Sequence, residues 1–245
     1  MILAAGLGTR LRPLTDHRPK ALVEVAGRTM LEIALSRLRA FGVHDVIINV
    51  HHFADEILEY LKANHNFGMR IEVSREEVLL DTGGGLKKAA HFFLENSNGV
   101  EQAFILHNVD VISTIDLRRM VQFHTRNQAL ATLAVQDRET SRYLLFDEQL
   151  QLCGRRSGHG ERDEYVGSSQ SVQALAFCGI HIVSSRLFGM MTEEGVFSVI
   201  SSYLRLAARG QKILSFRADE YYWRDMGSPD NVFQAAQDIG RKVLL

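Results

Sequence analysis

Cysteine, proline and tryptophan are scarce in this 245-residue chain, at two, three and one. Cys153 and Cys178 are too few for a disulfide framework and do not have zinc-ligand spacing. No apolar run approaches the ~20 residues of a membrane span. The apolar opening Met1-Ile2-Leu3-Ala4-Ala5 is cut by Gly6 and Arg10 before it reaches the length of a secretory leader's core. Neither sign of charge dominates: 28 Lys and Arg face 29 Asp and Glu, a formal net charge of -1. That balance gives no electrostatic reason to expect bulk nucleic-acid binding. With 46% hydrophobic and 23% charged residues, the composition argues against global disorder. These facts describe a globular, cytoplasmic chain with no membrane or nucleic-acid partner and leave its oligomeric state open. The length suits one α/β domain over residues 1–245.

Hydrophobic periodicity orders the first half as alternating strands and helices. Strands are expected at 1–5, 45–50, 69–74 and 103–107, and helices at 30–41, 54–63, 85–94 and 117–126. The first helix is marked by Thr29 and Glu32 at capping-box spacing, an apolar stripe of Met30, Leu31, Ala34 and Leu38, and Gly42 as a stop. Strand–helix alternation at this spacing implies a mostly parallel sheet covered on both faces. The second half reads differently. Strands at 129–136 and 143–152 have no helix between them, and the polar stretch 154–171 reads as an exposed loop. A long strand at 172–183, a helix at 196–209, a strand at 212–216 and a helix at 231–242 follow.

Four segments carry chemistry. The first is Leu3-Ala4-Ala5-Gly6-Leu7-Gly8-Thr9-Arg10-Leu11-Arg12-Pro13-Leu14-Thr15-Asp16-His17-Arg18-Pro19-Lys20-Ala21-Leu22. It leaves the carboxyl end of the first strand, where α/β sheets bind ligands. Gly6 and Gly8 let backbone N–H groups approach an anion, and Arg10, Arg12, Arg18 and Lys20 supply fixed positive charge suited to a polyphosphate. It matches neither the Rossmann fingerprint, which would need glycine at Leu11, nor a P-loop. Two of the three prolines stiffen this loop. The second segment is Tyr222-Trp223-Arg224-Asp225-Met226-Gly227-Ser228-Pro229, in which Asp225 is either a turn cap or a ligand. The third is His107-Asn108-Val109-Asp110 at the end of an apolar strand. Asp110 there is placed either to cap the next element or to hold a metal bound to phosphates. The fourth, Leu80-Asp81-Thr82-Gly83-Gly84-Gly85, reads as a turn whose bare backbone could lie against a base edge.

Together these motifs resemble the sugar-1-phosphate nucleotidyltransferases, also called nucleoside-diphosphate-sugar pyrophosphorylases. The signature Leu-Ala-Ala-Gly-x-Gly-Thr-Arg-Leu-x-Pro-Leu-Thr followed by Pro-Lys-x-Leu is met from Leu3 through Leu22. The resemblance is strongest over 1–112 and returns over 172–230 through Phe177-Cys178-Gly179-Ile180 and Trp223-x-Asp225-x-Gly227-Ser228-Pro229. It implies a glycosyltransferase-A-like three-layer α/β/α sandwich with a mostly parallel central sheet. The implied nucleotide-binding part is 1–112 and the implied sugar-binding part 113–230. The implied reaction joins a nucleoside triphosphate to a sugar 1-phosphate and releases pyrophosphate. Carried over by position, Ala5 and Gly6 lie under the nucleoside, while Gly8, Thr9, Arg10 and Lys20 hold the phosphates. Arg10 and Lys20 are the catalytic pair. Gly83 approaches the base, Asn108 and Gly179 face the ribose or sugar, and Asp110 and Asp225 bind Mg²⁺.

Within the family, Thr82-Gly83-Gly84-Gly85 and the short length are most similar to the N-acetylmuramate 1-phosphate uridylyltransferases, which favours UTP and a cell-wall recycling role. Mannose 1-phosphate guanylyltransferases are next. The chain departs from the family in lacking any lysine between Lys88 and Lys212, where many members place a lysine on the sugar phosphate; Arg155 and Arg156 are the candidates to replace it. Two rivals stay open: a non-catalytic nucleotide-binding regulatory module, and a choline-phosphate cytidylyltransferase, for which Tyr221, Tyr222 and Trp223 make a poor aromatic cage. His51-His52 without further ligands points to a sugar hydroxyl rather than to metal hydrolysis.

Overall fold

The computed structural model describes residues 1–95, 101–157, 163–166 and 171–240. In chain order these form β1 (Ile2–Leu3), β2 (Glu24–Val25), β3 (Arg28–Thr29), α1 (Met30–Ala40), β4 (Asp45–Val50), α2 (Ala54–Ala63), β5 (Arg70–Arg75), α3 (Asp81–Lys88) and α4 (Ala90–Leu94). There follow β6 (Ala103–Asn108), β7 (Val111–Ser113), α5 (Leu117–Asn127), β8 (Ala131–Gln136), β9 (Arg142–Phe146), β10 (Leu152–Ser157) and β11 (Glu164–Tyr165). The last elements are β12 (Gln173–Ser184), α6 (Val199–Ala207), β13 (Ile213–Arg217), β14 (Trp223–Asp225) and α7 (Pro229–Gly240). Among the described residues no helix is long and apolar enough to cross a membrane.

The chain divides into two compact units, both discontinuous in sequence. The first gathers Met1–Asp81, His107–Ile115 and the described residues from Tyr221 onward; the second gathers the described parts of Thr82–Leu106 and Asp116–Glu220.

In the first unit β1 runs parallel between β4 and the end of β6, pairing Ile2 with Ile48 and with His107, and β5 extends the sheet beside β4. Val46, Ile47, Ile48 and Val50 are fully buried, as expected of a parallel strand covered on both faces. Helix α1 forms where the spacing predicts: Thr29 Oγ1 accepts the Glu32 N–H at 3.1 Å, Met30, Leu31, Ala34, Leu35 and Leu38 are buried, and Gly42 ends it at φ 85°. The antiparallel pair β7–β14 sets Val111 opposite Asp225 and Ser113 opposite Trp223.

In the second unit β12 pairs antiparallel with β8 and β9, β9 pairs antiparallel with β10, β10 in turn pairs antiparallel with β11, and β13 joins β8 in parallel. Two expectations are corrected here. The single strand at 143–152 is two strands, β9 and β10, broken by a turn in which Asp147 Oδ1 accepts the N–H groups of Gln149 and Gln151 at 2.9 Å each. The loop expected at 154–171 holds β10 and β11, zipped by Arg155–Glu164 and Arg156–Asp163 ion pairs at 2.6 and 2.7 Å. Residues 158–162 and 167–170 of that stretch lie outside the described residues.

Candidate active site

The loop leaving β1 is fixed by its glycine and its buried anchors. Gly8 adopts φ 66°, and a Cβ there would lie 3.0 Å from Thr15 Cγ2 and 3.1 Å from Lys20 Cβ. Its carbonyl accepts both the Leu11 N–H and the Thr15 hydroxyl at 2.9 Å. Leu11, Thr15 and Pro19 point inward, whereas Gly6, Thr9, Arg10, Arg12 and Arg18 are exposed. The backbone thus holds Gly6 to Arg10 open to solvent while the buried side chains pin the loop. Ala4 and Ala5 are buried beneath it.

Four of the expected residues meet in the first unit. Lys20 reaches across from the end of this loop and pairs its Nζ with Asp110 Oδ2, with side chains 13% and 15% exposed. The β7–β14 pairing, continued by the Met226 N–H donating to the Asp110 carbonyl at 2.7 Å, brings Asp225 beside Asp110. Arg10 closes the group: a Cβ on Gly227 would lie 2.7 Å from Asp225 Oδ1 and 2.9 Å from Arg10 Nη2. Two cations and two carboxylates, drawn from 10, 20, 110 and 225, are therefore neighbours.

The charges are not evenly satisfied. Asp225 Oδ1 is buried with no hydrogen-bond partner. Burial pushes the Asp225 carboxyl above the usual carboxylate range and Asp110 adds repulsion, opposed by Lys20, Arg10 and the Gly227 N–H. An orphaned carboxylate oxygen beside a second carboxylate is a fit for a hard divalent cation, which takes one or two carboxylates and fills its shell with phosphate oxygens and water. Among the described residues no group of three or more His, Cys, Asp or Glu could hold a metal by itself. A cation at Asp110 and Asp225 would therefore draw its remaining ligands from substrate and water.

The surroundings brace this group. Arg224 pairs with Asp238 at 2.9 Å and the Tyr222 hydroxyl donates to the same carboxylate at 2.7 Å, fastening β14 to α7. The Arg224 guanidinium also lies 5.9 Å from the centre of the Tyr222 ring, so that ring already faces a cation. Asn108 ends β6 opposite Leu3. His107 is fully buried, its Nδ1 2.7 Å from the Asn108 carbonyl and its Nε2 without a partner; burial, with the charge of Arg37, pulls its pKa down to about 4. His51 Nδ1 lies 2.8 Å from the Glu76 carbonyl.

Gly83 and Gly179 belong to the second unit. The turn expected at Leu80–Gly85 is instead the start of α3, which contains all three glycines. The reason is close packing: the Gly83 and Gly84 N–H groups donate to the Phe197 carbonyl at 2.9 and 3.2 Å, and a Cβ on Gly83 would overlap the Phe197 ring. Gly179, at φ 71°, sits where the β12–β8 register shifts between Phe177 and His181, a bulge that favours glycine. Arg155 and Arg156 are committed to Glu164 and Asp163 across β10–β11. Sequence reasoning passed over Asn49 and Glu76, both 2% exposed in the first unit. The available signal was an asparagine inside an otherwise apolar strand.

A family model described as nucleotidyl transferase matches residues 1–146. The N-acetylmuramate alpha-1-phosphate uridylyltransferase of Caulobacter vibrioides is 34% identical over 243 residues, covering 94% of this chain and 91% of that protein. The mannose-1-phosphate guanyltransferase of Yarrowia lipolytica is 30% identical, covering 94% of this chain but 60% of that protein. Among solved structures, HddC from Yersinia pseudotuberculosis complexed with GMP-PN superposes at TM-score 0.74 with 20% identity, covering 97% of each chain. The apo UDP-glucose pyrophosphorylase does so at 0.76 with 15% identity, covering 99% of this chain and 98% of that one. These likenesses show the fold, the glycosyltransferase-A-like α/β architecture expected from the motifs.

Proposed function

From the premise that this chain belongs to the nucleotidyl transferase family, we propose that it joins UTP to N-acetylmuramate 1-phosphate in cell-wall sugar recycling. The coarser activity is that of a sugar-1-phosphate nucleotidyltransferase. The observation that carries the reading at the level of residues is the meeting of Arg10, Lys20, Asp110 and Asp225 in one unit. The substrate pair is supported by the 34% identity to the Caulobacter uridylyltransferase over nearly the full length of both chains.

The reaction is an in-line displacement at the α-phosphorus. A phosphate oxygen of the sugar phosphate forms the new P–O bond, and the bond from the α-phosphorus to the bridging oxygen breaks, releasing pyrophosphate. The nucleophile is already ionised at neutral pH, so no general base is needed. The barrier is electrostatic, an anion attacking an anion. The exposed Arg10 guanidinium binds the departing pyrophosphate, and Lys20 exchanges its carboxylate partner for phosphate oxygens. Gly6, Gly8 and Thr9 offer backbone N–H groups to the phosphates, and Ala5 forms the floor under the nucleoside. Asn108, at the end of β6, faces the ribose or sugar. Mg²⁺ held by Asp110 and Asp225 supplies charge neutralisation at the phosphates. Holding both substrates in line contributes up to ~7–11 kcal/mol in well-oriented systems.

Pyrophosphate release with Mg²⁺ across four nucleoside triphosphates and N-acetylmuramate, N-acetylglucosamine, glucose and mannose 1-phosphates tests this. Highest turnover with UTP and N-acetylmuramate 1-phosphate is expected. A GTP–mannose 1-phosphate preference would move the substrate to the second reading, which the 30% identity to the Yarrowia enzyme favours. Absence of turnover with every pair would overturn the reading. Asp110→Asn and Asp225→Asn should each shift the Mg²⁺ titration to higher concentration; a wild-type titration for both would make the pair structural.

A further inference from the structure

A chain of hydrogen bonds, its first two links buried and its last half-buried, crosses the carboxyl ends of three neighbouring parallel strands in the first unit. The Ala4 N–H, just past β1, donates to Asn49 Oδ1 at 2.9 Å. Asn49, on β4, donates through Nδ2 to Glu76 Oε1 at 2.7 Å. Glu76, just past β5, accepts the Leu80 N–H on Oε2 at 3.0 Å. Glu76 is itself held in place, its N–H donating to the Val50 carbonyl at 2.7 Å. Leu80 immediately precedes Asp81, whose φ of 59° is strained for a residue other than glycine.

We propose that Asn49 and Glu76 are positioning residues for the nucleotide, fixing the distance between the start of the phosphate loop at Ala4 and the backbone at Leu80–Asp81. The proposal rests on the reading above that the nucleoside lies over Ala5 and Gly6. Both side chains are 2% exposed and their polar groups are turned to each other and to backbone rather than to solvent. They set the site by holding its walls without touching the ligand.

The polarity of the relay is dictated by its ends. Ala4 and Leu80 each present a backbone donor, so each end needs an acceptor. Only one donating group is wanted between them, and Asn49 provides it. Glu76 must accept on both oxygens. Glu76→Gln introduces a second side-chain donor, so either the Leu80 bond or the Asn49 bond is lost. Asn49→Asp sets two carboxylates against each other in a buried position. The double substitution Asn49→Asp with Glu76→Gln restores every bond. The carboxylate now at position 49 accepts from the Ala4 N–H and from the amide now at position 76, and that amide's oxygen accepts from the Leu80 N–H. Size and net charge are those of the native pair.

The test is calorimetric binding of UTP and GTP with Mg²⁺ to the intact protein, well below the lowest melting temperature, with melting followed in parallel. Each single variant should bind nucleotide about tenfold more weakly, the scale of one buried donor or acceptor left unmade, and should discriminate less between UTP and GTP. The double variant should recover to within about threefold of wild type by the same reasoning. If Asn49→Asp does not fold, Glu76→Gln and the double variant carry the comparison. Single variants that melt lower yet bind nucleotide like wild type would overturn the proposal, leaving a purely structural relay. A double variant as impaired as Glu76→Gln would also overturn it, because residue 76 would then act on the nucleotide directly. Wild-type protein that binds nucleotide but turns over no sugar phosphate would fail the substrate reading alone, and the same binding data would still decide the relay. Wild-type protein that binds no nucleotide would overturn both.

Discussion

Gly227→Ala isolates the geometry of the charged group without changing any of its charges. Gly227 has no positive φ, so alanine meets no backbone strain there, and the whole effect comes from the added methyl. That methyl would sit 2.7 Å from Asp225 Oδ1 and 2.9 Å from Arg10 Nη2, whereas ordinary contact begins near 3.4 Å. Asp225 must therefore retreat by roughly 0.7 Å and Arg10 by roughly 0.5 Å, at or beyond the ~0.5 Å within which functional groups must be held. A misplacement of about 1 Å costs on the order of 10²-fold in rate, so kcat should fall by about 30- to 100-fold. Arg10 is exposed and can swing away, but Asp225 is fixed in β14, so the larger share of the loss falls on the carboxylate. Overpacking a site of this kind costs ~1–3 kcal/mol, leaving a folded protein to assay. The measurement is pyrophosphate release as a function of Mg²⁺, with a melting curve on the same preparation. A variant that keeps kcat and its Mg²⁺ midpoint within about twofold of wild type would refute the argument that Gly227 is required by the approach of Asp225 and Arg10.

Three further outcomes are expected. Arg10→Ala should lower kcat by ~10²–10³, as loss of one preorganised charge donor does, and an unchanged kcat in the pyrophosphate assay would remove Arg10 from catalysis. Gly83→Ala should lower stability by ~1–3 kcal/mol through overlap with Phe197, read by thermal melting, and an unshifted melt would show that α3 has room there. His107 titrates at about 4 when folded against 6.5 in the unfolded chain, so between those values the unfolded chain binds more protons and stability rises with pH. Its contribution is complete above pH 6.5 and is lost as pH falls toward 4, by up to about 3 kcal/mol. Urea unfolding at pH 7 and 5 should therefore show a smaller loss for His107→Gln than for wild type, and equal losses would contradict the assignment.

The loop from Leu3 to Leu22 was legible because its chemistry is written contiguously: glycines for a tight anion-facing turn, fixed cations, and prolines in a chain with few others. Helix α1 was legible because cap, stripe and stop all agree. The helix over Gly83–Gly85 was not, since each glycine is about 1 kcal/mol poorer than alanine in a helix. Its reason lies at Phe197, far along the chain. The β10–β11 pair was hidden for a related cause: a polar stretch looks like a loop until Gly154 lets the Glu164 carbonyl approach and the arginines find their acids. Asn49 and Glu76 went unread because, singly, each is an ordinary polar residue near a strand end. Their meaning is in the pairing of β1, β4 and β5, which periodicity does not specify.

The discontinuity of the first unit has a consequence in time. Arg10 and Lys20 are made early, and Asp225 comes 215 residues after Arg10. At ~5–20 residues per second, a nascent chain carries its cationic loop for roughly 10–40 s before β14 exists to pair with β7. During that interval Lys20 can meet Asp110, but Arg10 has no Asp225. A half-made chain therefore carries that loop with more positive charge than acid beside it, and the last strand to arrive brings the carboxylate that sits against Arg10.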